Sequence, residues 1–126
     1  MASLVVLEGP AKGAHFPLSQ PLVSVGRDDT CTFQVLDPMV SRTHLQVRLN
    51  ATTGAHIAAD YRSAHGVFIN GTQIVADTPL LDGDRIHIGR TTLVYLAADH
   101  ADAPAALAAA AKKKDEWARE TLMGGG

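Results

Sequence analysis

Between Leu4 and Ala98 the apolar residues fall in short runs, many β-branched or alternating with polar residues, and glycine, proline or asparagine interrupts them at about eight- to twelve-residue intervals. That rhythm predicts short antiparallel strands packed as a sandwich or barrel. Leu45, Val47 and Leu49 alternate with Gln46 and Arg48, which predicts one buried and one wet face, and Ile86 and Ile88 flank His87 in the same way. The pattern places strands near Leu4–Leu7, Ala14–Leu18, Leu22–Val25, Phe33–Leu36, Thr43–Leu49, His56–Ala59, Val67–Ile69, Thr72–Ile74, Arg85–Ile88 and Thr91–Leu96. Asn70-Gly71 and Gly89-Arg90 each separate two such runs and can supply the positive φ angles that tight hairpins need.

The pattern changes after Asp99. Residues 105–123 are rich in alanine, have no β-branched member before Thr121, and predict a helix that Pro104 starts and Gly124 to Gly126 end. Leu107, Ala110, Ala111, Lys114, Trp117 and Leu122 form no continuous apolar stripe, so only part of this helix is expected to pack. Lys112, Lys113 and Lys114 are expected to form a solvated face. The chain therefore divides into an all-β unit at 1–98 and a helical appendage with a glycine tail at 99–126.

At 126 residues there is room for one ordinary core. A net charge of −2 gives no cationic field of the kind that holds a nucleic-acid backbone, and six aromatic residues leave few stacking platforms, so a nucleic-acid partner is not expected. The single cysteine, Cys31, excludes an internal disulfide and suits a reducing compartment as a small packed thiol. No run approaches the roughly 20 apolar residues of a membrane span, and the start of the chain does not look like a signal peptide, so the expectation is a soluble, cytoplasmic protein with no membrane partner. The six histidines are scattered, with no metal-ligand spacing, and neither a glycine-rich phosphate loop nor a GxSxG motif is present. No enzyme activity, cofactor or metal is expected.

The chemistry concentrates in VGRDDTCTFQVLDPMVSRTH, residues 25–44. Arg27 follows Gly26 at a strand end, where its guanidinium can project from the rim of a sandwich, and Ser41 with Arg42 sets a hydroxyl beside a second guanidinium just before another strand. Seven of the eleven basic residues are arginines, whose planar fork makes paired, charge-assisted bonds to phosphate.

With these residues the sequence resembles the forkhead-associated (FHA) family. Four elements match in order: Gly26-Arg27; Ser41-Arg42-Thr43-His44; Asp60 with Ser63, Gly66 and Asn70-Gly71; and Leu81-Asp82-Gly83-Asp84 before Ile86-His87-Ile88-Gly89. The resemblance covers about Leu4 to Ala98. It implies an FHA-like (SMAD/FHA) antiparallel β-sandwich of about eleven strands, here followed by an α-helix, that reads phosphothreonine in signalling partners through loops at one end. Carried over by position, it makes Arg27 and Ser41 phosphate ligands and sets Arg42 beside the phosphate or the peptide backbone. It leaves Ser63 and His65 in the peptide-reading loop, and makes Gly26, His44, Asp60, Gly66, Asn70 and Gly71 structural supports.

The stretch DYRSAHGVFING, residues 60–71, departs from the family pattern, because Ala64 stands where a phosphate-binding threonine is usual and His65 where an asparagine is usual. One lost hydrogen bond to a charged acceptor is worth about 1–2 kcal/mol, or roughly five- to thirtyfold in affinity. Arg62 is a candidate to replace it. The expectation is thus a phosphothreonine-dependent interaction module with weakened phosphate contacts, monomeric, with phosphate-independent binding or self-association as the alternative.

Overall fold

The computed structural model describes residues 1–100 and 102–124, with side chains through Trp117. The expected Gly125-Gly126 tail and the Leu122 side chain lie outside the described residues.

Eleven strands form two sheets: β1 (Ser3–Glu8), β2 (His15–Pro17), β3 (Leu22–Gly26), β4 (Phe33–Gln34), β5 (Leu45–Leu49), β6 (His56–Asp60), β7 (Phe68–Ile69), β8 (Thr72–Gln73), β9 (Thr78–Pro79), β10 (Arg85–Ile88) and β11 (Thr91–Leu96). One sheet has the order β2-β1-β11-β10-β7-β8, the other β4-β3-β5-β6-β9. Alternate residues of both point inward, so Leu4, Val6, Val23, Val25, Leu45, Val47, Ala58, Ile86, Ile88 and Leu93 share one core. Leu49, expected on the buried face, is 41% exposed at the end of its strand.

Several strand ends move by one or two residues from expectation, and two strands differ more. The first, β9, has only two residues, too few to leave a periodic signal; it lies at a sheet edge, where Pro79 deprives no neighbour of a donor. The second, β4, is shorter than the predicted Phe33–Leu36 run and pairs with β3 in parallel, Val25 opposite Phe33 and Gly26 opposite Gln34. So tight a parallel return is held by side chains. Ser24 N–H donates to Thr32 Oγ1 and Thr32 N–H to Ser24 Oγ, both at 3.1 Å, which brings the chain back beside β3 in the same direction.

The helix α1 (Ala103–Gly124) starts at Asp102, whose carboxylate accepts the Ala105 N–H at 2.9 Å as an N-cap. Ala106 and Ala110, one turn apart, are fully buried against Val5, Val94 and Leu96 on the outer face of the larger sheet. Their small side chains let the helix lie close, and as a result the middle of that sheet is covered on both faces. The lysines are not a uniform solvated face: Lys113 pairs with Asp82 at 3.0 Å, Lys114 reaches Glu8 at 3.9 Å, and Lys112 is exposed. Among the described residues no helix is long and apolar enough to cross a membrane.

Candidate functional site

Three loops meet at one end of the sandwich, after β3, before β5 and after β6. The first two approach each other at Gly26, where a Cβ would lie 2.1 Å from the Arg42 carbonyl oxygen; only a residue without a side chain permits that crossing. Backbone bonds zip the crossing, with Arg27 N–H donating to Ser41 O at 3.0 Å and Asp28 N–H to Arg42 O at 3.1 Å. Cys31, buried beneath, donates its thiol to the same Arg42 oxygen at 3.1 Å.

Arg27 is exposed, and its Nε donates to Val40 O at 3.0 Å, laying the guanidinium along the segment that carries Ser41 while its terminal nitrogens make no hydrogen bond among the described residues. Among the described residues no carboxylate forms an ion pair with Arg27 or Arg42. The neighbouring Asp28 carboxylate is turned into its own loop, where it accepts the Thr30 N–H and hydroxyl at 2.9 and 3.0 Å. Those bonds, chiefly the one from the Thr30 amide, hold its pKa below the usual value, and the charge of Arg42 adds a smaller contribution.

His44 joins the second loop to the third. It is fully buried; Nδ1 accepts the Ser41 N–H at 3.0 Å, and Nε2 lies 2.7 Å from Gly66 O. A carbonyl can only accept, so the proton sits on Nε2, and a second proton on Nδ1 would face the Ser41 N–H. Burial is the main cause of a lowered His44 pKa, although the Gly66 bond opposes it. The third loop is braced internally: Asp60 accepts the Ser63 N–H, and Ser63 Oγ accepts the Gly66 N–H, each at 2.9 Å. Gly66 takes φ +85°, and a Cβ there would also meet the Gln73 side chain at 2.6 Å.

Ser41 Oγ accepts the Ala64 N–H at 3.0 Å. That contact occupies a lone pair and leaves the hydroxyl proton for an acceptor outside the protein. The rim therefore presents the Arg27 guanidinium and the Ser41 hydroxyl, with the exposed Arg42 next in the chain, donors in excess of acceptors, which suits an oxyanion.

His65 stays in the third loop between Ala64 and Gly66, whereas Arg62, Asn70 and Gly71 make their contacts elsewhere. Arg62, in the left-handed region at φ +50°, lines a cleft of about 440 Å³ with Asp60 and residues 74–77. Its side chain makes no hydrogen bond or ion pair among the described residues. His65 is exposed, likewise without a hydrogen bond. Asn70 and Gly71 form the β7–β8 turn with φ +52° and +85°; Asn70 donates to Asp84 and accepts from the Arg85 N–H, both at 2.9 Å, so this pair braces the Leu81–Asp84 loop and not the rim.

Asp37 escaped the sequence reading. Fully buried, it accepts the Met39 N–H at 2.9 Å, the Arg90 N–H at 2.8 Å and the Thr91 hydroxyl at 2.9 Å, tying the Ser41 loop to the β10–β11 turn. Burial alone would raise its pKa, but these bonds outweigh it and the net shift is downward. The Asp37-Pro38 pair was the available signal, since an aspartate that accepts the amide two residues on is a common turn device.

A family model described as FHA domain matches residues 23–89, just over half of the chain and every residue of the rim. The glycogen accumulation regulator GarA of Mycolicibacterium smegmatis is 36% identical over 101 residues, 80% of this chain and 62% of the relative. The oxoglutarate dehydrogenase inhibitor of Corynebacterium glutamicum is 38% identical over 96 residues, 76% of this chain and 65% of that one. The chain thus spans somewhat under two thirds of the curated relatives' length. Among solved structures, Mycobacterium tuberculosis EmbR in complex with a low affinity phosphopeptide superposes with a TM-score of 0.70 at 25% identity, over 80% of this chain and 25% of that one. With the sandwich, the glycine crossing and the profile in agreement, the chain belongs to the FHA-domain family.

Proposed function

We propose that this chain is a non-enzymatic, phosphothreonine-dependent interaction module for protein partners. Arg27 and the Ser41 hydroxyl hold the phosphate, Arg42 sits beside it or along the peptide backbone, and His65 borders the peptide. Ser63 acts by shaping the loop, and Arg62 meets flanking residues of the peptide from its separate cleft. The observation that carries this reading is the Ser41 hydroxyl, its lone pair committed to the Ala64 amide, beside an Arg27 guanidinium that is held along the Val40–Ser41 segment and paired with no carboxylate among the described residues. EmbR, the relative solved with a phosphopeptide, supports the same chemistry. The partner is expected in a reducing compartment such as the cytoplasm, in keeping with the unpaired, buried Cys31.

Phosphate contacts are weaker than a threonine at position 64 would allow, because Ala64 contributes only its amide, and that amide is spent on Ser41. Calorimetry with a phosphothreonine peptide library and its unphosphorylated control tests the reading. Wild-type protein should bind only phosphorylated members, and Arg27→Ala should lose about 2–3 kcal/mol, roughly 30- to 150-fold. Equal binding of both libraries, unaffected by Arg27→Ala, would instead establish a phosphate-independent interface.

A further inference from the structure

On the outer face of the larger sheet, away from the rim, α1 covers Val5, Val94 and Leu96 but leaves a cleft of about 250 Å³ beside them. Its walls come from three neighbouring strands and the helix: Glu8 of β1, Arg85 and His87 of β10, Thr92 of β11, and Lys114 and Trp117 of α1. Strand register explains the gathering. Ile86 and Ile88 point into the core, so Arg85 and His87 point the other way, and pairing sets Arg85 opposite Val94 and His87 and Glu8 both opposite Thr92.

Arg85 is the unusual member. Its guanidinium lies over the Trp117 ring, 4.8 Å from the centroid, and its Nε is buried with no hydrogen-bond partner among the described residues. A buried charged donor without an acceptor is costly and rare, and commonly marks a place for an ion or ligand. No carboxylate pairs with Arg85 among the described residues. Glu8, the one acid among the described lining residues, stands 3.9 Å from Lys114. Among the described residues the cleft thus holds two cations against one anion, with the His87 ring N–H and the Thr92 hydroxyl as further donors, while Leu7 and Trp117 supply apolar wall.

We propose that this cleft is a second ligand site, which takes a small oxyanion, a phosphate or carboxylate group on a compact body, through Arg85, Lys114 and His87. Its volume lies just below the range of drug-sized pockets, which fits a small molecule. The site does not depend on the rim residues.

Trp117 is the only tryptophan, so its fluorescence reports on the cleft. The full chain is titrated with inorganic phosphate and with benzoate, each against sodium chloride at matched ionic strength, and the Trp117 indole N–H shift is followed in parallel by NMR. A saturable response to at least one oxyanion, absent with chloride, is expected. Arg85→Gln should weaken it roughly tenfold or more and Arg85→Lys less, because lysine keeps the charge without the fork. Lys114→Gln, an exposed change that leaves the sheet intact, should weaken it about threefold or more. Arg27→Ala should leave it unchanged. A stronger response to phosphate identifies a phosphoryl ligand, and a stronger response to benzoate a carboxylate on an unsaturated body. No saturable response to either anion, insensitivity to both Arg85→Gln and Lys114→Gln, or loss with Arg27→Ala would overturn the assignment; the last would place the anion at the rim and leave the phosphothreonine reading standing.

Discussion

Replacing His44 by phenylalanine keeps a ring in the same buried space and removes both nitrogens. Two backbone groups then lose their partners: the Ser41 N–H, half-buried, and the Gly66 carbonyl, buried. At about 1–3 kcal/mol for each unpaired group, with the lower end for the more accessible amide, the loss should be about 2–4 kcal/mol. That is a large share of the 5–15 kcal/mol typical of a domain. The same residue sets a pH dependence. Burial above all lowers the folded-state pKa of His44 from its ordinary 6.5, so the unfolded chain binds a proton that the folded chain refuses. Stability is therefore intact above pH 6.5 and falls as the pH drops from there towards the folded-state value, by up to about 1.4 kcal/mol per pH unit. His56, whose pKa burial also lowers, adds a second slope of the same sign. Urea denaturation between about pH 7 and 5 stays above the range where Asp37 and Asp82, both with lowered pKa values, release their own contributions. In that window the combined slope of up to about 2.7 kcal/mol per unit should drop to about half in His44→Phe. A variant within about 1 kcal/mol of wild type at pH 7, or one with an unchanged slope, would refute the assignment of a neutral, doubly bonded His44.

Three further outcomes follow from the same loops. Asp37→Ala leaves the Met39 and Arg90 amides and the Thr91 hydroxyl without their acceptor, and should cost about 3 kcal/mol or more by urea denaturation. Hydrogen exchange should then quicken at residues 38–41, and unchanged exchange there would mean that Asp37 does not hold the Ser41 loop. Gly26→Ala sets a methyl group against the Arg42 backbone, which cannot yield as a side chain tip could, so stability should fall by about 2–3 kcal/mol and phosphopeptide affinity with it. Ala64→Thr adds a hydroxyl to the rim and should tighten phosphothreonine binding by about 1–2 kcal/mol, roughly five- to thirtyfold. If calorimetry finds no gain, position 64 does not face the phosphate.

The sequence alone determined the class of this protein, a β-sandwich followed by a helix, and most of its strands. Strand alternation, the glycines at the turns and the abrupt shift to alanine are local signals, and each registers burial or a backbone angle within a few residues. Arg27, Ser41 and Arg42 were legible for a related reason, since a guanidinium at a strand end and a hydroxyl beside another suit an oxyanion, whereas Gly26 and His44 were marked only by the resemblance to the FHA family. Tertiary structure alone decided which polar groups meet. His44 reaches Gly66 across 22 residues and Asp37 reaches Arg90 across 53, and no periodicity encodes such pairings. The parallel return of β4 depends on two hydroxyls, of Ser24 and Thr32, that each meet the other residue's amide only after the loop closes. Arg62 illustrates the same limit, because its left-handed backbone sends it to a cleft that its place in the sequence does not reveal. The pairing of Arg85 with Trp117 exists only because two alanines let the helix settle on the sheet. Burial preferences are written residue by residue, whereas hydrogen bonds and charge contacts depend on geometry at the scale of an ångström, which only the packed chain fixes.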